Sequence, residues 1–471
     1  MNNLNFLVDV LKDSPVFKTL EKNVKPGRTV CASGLSTINK SNIIYALCRL
    51  KGVTAFCLAS DEKEAQTLCN DLSCMGLRAY VYPVRDFNFL DFQSRSHEYE
   101  HARLKVLLKL LNHECDVAIA CVDAAAQLTV PRNVLEQSVI EFEEGRELSL
   151  EKATKALTLV GHERFDAVEG SGQFSLRGGI LDFFMPDSDY PVRCEFWGDE
   201  ITDLSYFDIE TQRRFKKADK ITLSPSTEIV IEDRAALADK IEHKAKLLRS
   251  KNSAKAKEKL CSEAELIRSG AMIANADKFI NQIYDKPESL FDYLDRNTLV
   301  FASEFTAIQE RGKSMDFISN ETLMQGFEDG TLCRGFDRFA LTFNECTEFL
   351  QSHGTIVLEN FVHGSMPIKL SEIISFSTKQ LSAWGGSYKQ LKEDVDGLFT
   401  PESRGVIFAG TERAAKNLCD TFNADGINAV YSEGADKISK GELLVMQGAL
   451  SAGFEYPSQK FFAITYSQVS Y

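Results

Sequence analysis

The sequence has 471 residues, of which 44% are hydrophobic and 26% are charged. This length is too great for one hydrophobic core and predicts roughly three domains of ordinary size. No apolar run approaches the roughly 20 residues of a membrane span, and the first residues lack the basic start and apolar stretch of a signal peptide.

The charge balance is acidic, with 54 Lys and Arg against 68 Asp and Glu, for a formal net charge of −14. Such a chain lacks the overall positive charge that attracts the phosphates of nucleic acid, so any contact with DNA would have to be made by a local group of basic residues. The 12 Cys residues are scattered without a C-x-x-C pair, which favours neither a zinc site nor a disulfide framework. We expect reduced thiols and a cytoplasmic location.

Residues 28–123 alternate between strand and helix patterns. Apolar strands are predicted at 29–32, 53–58, 79–82 and 117–122, and helices at 42–50, 61–74 and 99–111. Repeated β-α units of this kind predict a parallel sheet flanked by helices.

The first strand-to-helix turn, GLSTINKS at 34–41, is close to a Walker A phosphate loop. Gly34, Lys40 and Ser41 match G-x-x-x-x-G-K-[ST], but Asn39 replaces the second Gly. Asn adopts positive φ better than most residues, so the turn would survive while its fit around a phosphate is compromised. The alternative is a structural turn that binds no nucleotide.

Residues 172–214 contain three short, largely alternating apolar segments that predict antiparallel strands. The first, 174–177, runs into Gly178-Gly179, which indicates a bulge or a close approach of two backbones. The second, 192–197, follows a loop at 186–191. Period-two alternation places Arg193 and Trp197 on one face of this strand, opposite the apolar residues Val192, Cys194 and Phe196. The third segment spans 201–207.

This face has two interpretations. One is an ordinary solvated, charged sheet surface with a Trp at its edge. The other is a recognition surface, because Arg and Trp are enriched where a few side chains carry a protein interface. The basic cluster that follows is most simply a solvated turn; it contains Arg213, Arg214, Lys216 and Lys217.

The remaining chain has no chemical motif. Residues 234–285 are helical and Lys-rich, which favours a solvated helix face over a nucleic-acid site. Strands at 299–301 and 355–358 are predicted to return the chain to the first sheet. From about 386, strands are predicted at 405–409, 429–431, 442–446 and 460–465, with a helix at 411–422. No Ser or Cys lies in a nucleophile motif.

The string RGGILDFF, followed after a short loop by VRCEFWGDEITDLSYFD, resembles the UvrA-binding domain shared by UvrB and the transcription-repair coupling factors. The resemblance to the coupling factors covers the whole chain, is strongest at 177–208 and is weakest after 386. It implies a multidomain α/β fold, in which a UvrB-like parallel-sheet domain with a degenerate phosphate loop is interrupted by a small α+β UvrA-binding domain and followed by a small α/β domain. The expected bounds are 1–131, 132–224, 225–385 and 386–471.

The resemblance also implies a function. Coupling factors release RNA polymerase stalled at DNA damage and recruit UvrA, and their UvrA-facing positions correspond to Arg177, Arg193 and Trp197. The last position is usually Phe in the family, so Trp197 is a different residue there but keeps the aromatic character of the position. We expect this chain to be the N-terminal part of such a protein. RNA polymerase and duplex DNA would then bind only through missing C-terminal domains, and no membrane partner is expected.

The same resemblance predicts that the nucleotide site is inactive and hydrolyses no ATP. UvrB-like ATPases have Asp-Glu at the end of a strand where this chain has Ala302-Ser303. Without that carboxylate pair nothing positions Mg²⁺ or orients a water, and positioning is most of phosphoryl-transfer catalysis. We therefore expect no catalytic residue, metal or cofactor in this segment, with ATP and Mg²⁺ only at the missing motor lobes. The alternatives are a UvrB-like helicase subunit, a free-standing P-loop ATPase, or a scaffold without a partner.

Overall fold

The computed structural model describes residues 3–85, 97–137, 140–249, 253–270, 276–362 and 366–466. In this part of the chain the strands form a seven-stranded sheet, two six-stranded sheets and a two-stranded sheet. None of the helices described is long and apolar enough to cross a bilayer.

The chain up to residue 137 is a series of β-α units. Its elements are α1 Asn5–Lys12, α2 Pro15–Asn23, β1 Val30–Ser33, α3 Thr37–Lys51, β2 Ala55–Ala59, α4 Glu62–Cys74, β3 Ala79–Tyr82, α5 Glu98–Leu111, β4 Val117–Cys121, α6 Val122–Ala126 and α7 Arg132–Gln137. Strands β1, β2 and β4 are buried at every residue, as expected of central strands covered by helices on both faces. Helix α4 is capped by Asp61, whose carboxylate accepts a hydrogen bond from the Glu64 N–H.

The inserted segment folds into a six-stranded sheet, a two-stranded sheet and one helix, and its strands pair antiparallel except for one parallel pair at the edge of the larger sheet. Its elements are β5 Ile140–Glu143, α8 Leu150–Leu159, β6 Glu163–Arg164, β7 Gln173–Arg177, β8 Ile180–Phe183, β9 Val192–Trp197, β10 Glu200–Phe207, β11 Arg214–Lys217 and β12 Lys220–Leu223. The six-stranded sheet has the order β11-β10-β9-β8-β7-β6, and β5 pairs with β12. The basic cluster predicted as a turn is therefore wrong in part: residues 214–217 form the exposed edge strand β11, where Arg214 makes ion pairs with Asp203 and Glu195.

The chain then returns to the first sheet. The elements of this part are α9 Arg234–Leu247, α10 Ser253–Arg268, α11 Ile280–Ile283, β13 Leu299–Ser303, α12 Phe305–Asp329, α13 Phe343–His353, β14 Thr355–Leu358 and β15 Glu372–Ser375. Strands β13 and β14 lie side by side in the sheet order β15-β1-β14-β13-β2-β4-β3, with parallel pairings. The prediction that they complete the first sheet is confirmed. Residues 250–252 and 271–275 of the predicted helical stretch lie outside the described residues.

The last part has its own sheet. Its elements are β16 Lys379–Leu381, α14 Tyr388–Leu398, β17 Arg404–Phe408, α15 Glu412–Ala424, β18 Ala429–Tyr431, β19 Glu442–Met446, β20 Gly453–Tyr456 and β21 Phe461–Thr465. The order is β16-β20-β21-β17-β19-β18, so this sheet begins before the predicted bound at 386. The predicted α/β fold class is confirmed, whereas the four domain bounds stay predictions.

A buried ionic network joins the inserted domain to the first sheet. Glu228, just after the inserted strands, accepts a hydrogen bond of 2.6 Å from Arg103 Nε on α5, and both side chains are fully buried. Arg85 lies within 3.7 Å of Glu228 and within 3.1 Å of Asp277. Removing one member of such a network leaves an uncompensated buried charge, so the network holds the exit of the inserted domain in place.

The first and last sheets share a hydrophobic core. Buried residues of α1 and α3 pack in one cluster with residues of β17, β19, β20 and β21. The inserted domain has a separate core, built from α8 and the inner face of its sheet.

Candidate protein-binding face and nucleotide loop

The outer face of the inserted sheet carries the residues that the sequence singled out. In β9, the side chains of Val192, Cys194 and Phe196 are buried in the core. Arg193 and Trp197 therefore lie on the opposite face, as alternation predicted. Trp197 is 82% exposed, which is unusual for so large an apolar side chain and marks a candidate contact surface.

The glycine pair before β8 forms the turn of a hairpin rather than a bulge. Arg177 pairs with Ile180 across this turn, and Gly178 has φ of +62°, a conformation that favours glycine. A Cβ on Gly179 would lie 2.8 Å from the carbonyl oxygen of Phe196. The predicted close approach of two backbones is thus confirmed. Arg177 ends β7, which β8 separates from β9 in the sheet.

Asp182 lies opposite Arg193 on the neighbouring strand and accepts hydrogen bonds from two arginines. Arg193 Nε and Nη2 reach its two carboxylate oxygens at 2.7 and 2.8 Å, and Arg177 Nη2 reaches it at 2.9 Å. The side chain of Arg193 is only 13% exposed, that of Arg177 is 53% exposed, and that of Asp182 is 1% exposed. Arg193 is therefore largely covered by its neighbours, although it lies on the face that alternation predicted, whereas Arg177 stays half exposed.

The nucleotide loop is occupied by contacts within the protein. Its backbone N–H groups at Gly34 and Leu35 donate to the carbonyl oxygens of Asn360 and Glu359, each at 3.1 Å. In a working phosphate loop, such N–H groups cradle phosphate oxygens. A Cβ on Gly34 would lie 2.2 Å from the carbonyl oxygen of Phe376, so this glycine serves the packing of a neighbouring segment.

Lys40 is the centre of a buried polar cluster. Its ammonium group lies 3.2 Å from Glu64, 2.9 Å from Ser303 Oγ and 2.5 Å from Glu304, and its side chain is 2% exposed. Burial opposes ionisation of Glu64, but the charge of Lys40 and the hydrogen bond from Ser303 lower the pKa of Glu64 overall. Ala302 is fully buried in β13. Carboxylates therefore stand beside the degenerate Ala302-Ser303 pair, but they neutralise the lysine.

The other two loop residues contact neighbouring elements. Asn39 lies inside α3 rather than in a left-handed turn, which corrects the conformation expected for it. Its amide donates to the hydroxyl of Tyr456 in the last sheet at 3.3 Å. Ser41 donates to the Asp71 carboxylate at 3.3 Å, and Asp71 also accepts hydrogen bonds from the N–H and the hydroxyl of Ser451.

Two carboxyl groups next to the loop have raised pKa values. Burial raises the pKa of Asp71 to about 6, although the hydrogen bonds from Ser451 and Ser41 oppose this shift. Burial raises the pKa of Glu359 to about 7; the charge of Glu304 adds to the shift and the N–H of Phe305 opposes it. One Glu359 carboxyl oxygen has no hydrogen-bond partner among the residues that the structure describes.

Comparison with known proteins bears on both sites. Residues 140–229 match the family model of the UvrB interaction domain. The chain is similar to the transcription-repair-coupling factors of Bacillus subtilis (26% identity over 97% of this chain and 39% of that protein) and of Staphylococcus epidermidis (25% identity over 82% and 33%). A third relative, from Staphylococcus aureus strain USA300, shares 21% identity over 98% of this chain and 40% of its own length.

The chain resembles transcription-repair-coupling factors along almost its whole length. The resemblance inferred from the sequence is thus confirmed, and the chain spans about two fifths of the Bacillus subtilis relative. The UvrB interaction domain includes all three predicted UvrA-facing residues, whereas the nucleotide loop lies outside it. The roles of the individual residues stay predictions.

Three side chains that contact the predicted site residues were not predicted from the sequence: Asp182, Glu64 and Glu304. The sequence pattern ends the first segment at 177 and indicates a bulge or a close approach at the glycine pair, so it does not predict the second strand of the hairpin, which carries Asp182. Glu64 and Glu304 lie far from each other in the chain and meet only through the parallel order of the sheet. The acidic residue directly after Ala302-Ser303 was the one available signal for Glu304.

The raised pKa of Glu359 generates a test of the buried cluster. A carboxyl group whose pKa is higher in the folded than in the unfolded state contributes stability below its unfolded value of 4.5 and loses that contribution as the pH rises towards about 7. Glu359→Gln keeps an acceptor for the Phe305 N–H and cannot ionise. We expect this variant to be about 1 to 3 kcal/mol more stable than the wild type at neutral to alkaline pH, with the difference shrinking as the pH falls.

Urea unfolding at a series of pH values measures this difference. Glu328→Gln, a change at an exposed position on α12, should leave stability unchanged at every pH. A Glu359→Gln effect that does not vary with pH would show that the pKa of Glu359 is the same in the folded and unfolded states, and would contradict the prediction.

Proposed function

We propose that this chain recruits UvrA through the outer face of its UvrB interaction domain, and that its nucleotide loop is inactive. The observation that carries the proposal is an 82% exposed Trp197 on the same sheet face as a half-exposed Arg177, within a domain that matches the UvrB interaction family. In the whole protein, we propose, release of stalled RNA polymerase and movement on duplex DNA belong to other domains and their ATP sites.

The chemistry of the face fits a protein partner. Arg177 uses only Nη2 in its contact with Asp182 among the described residues, so the rest of its guanidinium can fork onto a partner carboxylate. Trp197 supplies a rigid apolar anchor for a pocket. Around them lie Glu195 and Asp203, each of which makes an ion pair with Arg214, and these three side chains form a polar rim.

The inactive loop is supported by the state of its functional groups. The lysine that would bind phosphate is neutralised by Glu64 and Glu304, and the serine that would hold Mg²⁺ donates to Asp71. Binding of ATP would have to break these buried contacts as well as displace the backbone hydrogen bonds of the loop. This argues against both a free-standing P-loop ATPase and an active UvrB-like helicase subunit.

The first prediction concerns UvrA binding. If both are contact residues, Arg177→Ala and Trp197→Ala should each weaken the binding of UvrA by about 2 kcal/mol, which is on the order of 30-fold in affinity. Calorimetric titration of UvrA against wild type and variants measures the change. The matched controls are Arg413→Ala on α15 and Phe317→Ala on α12, both exposed and distant from the face.

Unchanged affinity in both face variants, with all proteins folded, would refute the assignment of this face. Absence of a wild-type complex would instead favour a scaffold that does not bind UvrA.

The second prediction concerns nucleotide. Ligands that bind only the folded state raise the thermal midpoint, and we expect millimolar ATP with Mg²⁺ to produce no rise and no phosphate release above background. Differential scanning fluorimetry and a phosphate-release assay test this on the wild-type chain. Turnover that disappears in Lys40→Gln would contradict the proposal.

A further inference from the structure

Asp182 and Arg193 form a fixed unit beneath the proposed UvrA face. The Asp182 carboxylate is almost fully buried and receives both N–H groups of one Arg193 edge, at 2.7 and 2.8 Å. The guanidinium carbon of Arg193 lies 4.4 Å from the centre of the Phe207 ring. The bidentate pair and the ring together hold the guanidinium in one orientation.

The second edge of Arg193 is occupied as well. Its Nη1 donates to the carbonyl oxygen of Gln212 at 3.1 Å, and its Nη2 donates to the Gln212 side-chain oxygen at 3.2 Å. A guanidinium has five N–H donors, and four of them are used here. Both edges that could fork onto a carboxylate are therefore engaged within the domain, so Arg193 has no bidentate site to offer a partner.

Arg177 differs in each of these respects. It is half exposed and, within the described part of the chain, its side chain makes a single hydrogen bond, of 2.9 Å, to the same Asp182 carboxylate. That bond fixes one end of a long side chain that would otherwise lose its rotamer freedom on binding. A side chain already held in its bound orientation binds more tightly, because the ordering cost is removed.

We propose that Asp182 and Arg193 are positioning residues of the UvrA-binding face, and that the contacts with UvrA are made by Arg177 and Trp197. The inference rests on the proposed function. Asp182 orients Arg177, and Arg193 fixes Asp182 and screens its charge. The partner then presents a carboxylate to Arg177 and an apolar pocket to Trp197, and no carboxylate to Arg193.

A double-mutant cycle distinguishes a positioning role of Arg193 from direct contact between Arg193 and UvrA. Asp182→Asn, Arg193→Gln and Arg177→Ala are made singly, and each of the first two is also combined with Arg177→Ala. Asp182→Asn and Arg193→Gln alone should weaken UvrA binding about tenfold, because Arg177 loses its orientation. In the Arg177→Ala background each should change the affinity by less than about twofold, since there is no longer a side chain to position.

The same two substitutions in a Trp197→Ala background should keep their full tenfold effect. A general disturbance of the fold would weaken binding in both backgrounds, whereas a positioning role loses its effect only in the Arg177→Ala background. Thermal midpoints accompany every titration. If Arg193→Gln unfolds the domain, Asp182→Asn, which keeps the shape of the side chain, provides the comparison. A further loss of about tenfold from Arg193→Gln in the Arg177→Ala background would overturn the proposal and make Arg193 a contact residue.

These outcomes are distinct from failure of the proposed function. If Arg177→Ala and Trp197→Ala leave UvrA affinity unchanged, the face itself is wrong and the positioning role falls with it. If they weaken binding while Asp182→Asn has no effect, the face stands and only the positioning role is refuted.

Discussion

The arrangement of the molecule depends on a buried ionic network at the point where the chain passes from the inserted domain back to the domain of the first sheet. Arg103 and Glu228 are fully buried and 2.6 Å apart, and Glu228 also accepts a hydrogen bond from Thr129. The desolvation of such charges is compensated only while every partner is present. Because α5, the exit of the inserted domain and the segment carrying Asp277 all supply members, the network fixes how the domain is attached to the first sheet. The outer face of the inserted sheet is thereby presented on a rigid base.

The residues of the nucleotide loop make structural contacts with three neighbouring elements. Lys40 joins α3 to α4 and to the end of β13 through Glu64, Ser303 and Glu304. Asn39 and Asn42 donate to the hydroxyl of Tyr456, which ties the same helix to the last sheet. Ser41 and Ser451 also donate to the same Asp71 carboxylate, so the residues of the loop and of its helix link the first sheet to the last one.

Sequence reasoning reached the fold class and the faces of individual strands, but not the contacts between strands. Alternation in β9 is a local property, so Arg193 and Trp197 could be placed on one face from their spacing alone. Their different exposure could not, because it depends on Asp182 and Gln212 from neighbouring strands and turns. In the same way, the sequence shows which residues of the phosphate loop match the motif and which do not. The pairing of Lys40 with Glu304 is not visible there, because the two residues are 264 positions apart in the chain.

The central claim is that UvrA docks on the outer face of the inserted sheet. Hydrogen–deuterium exchange of the chain, alone and in the presence of UvrA, tests this claim without any substitution. The account predicts that complex formation slows exchange at the turn between β7 and β8, along β9 and at the turn into β10, and leaves α9, α10 and the last sheet unchanged. Protection confined to those helices or to the last sheet, with none on β7 to β10, would contradict it.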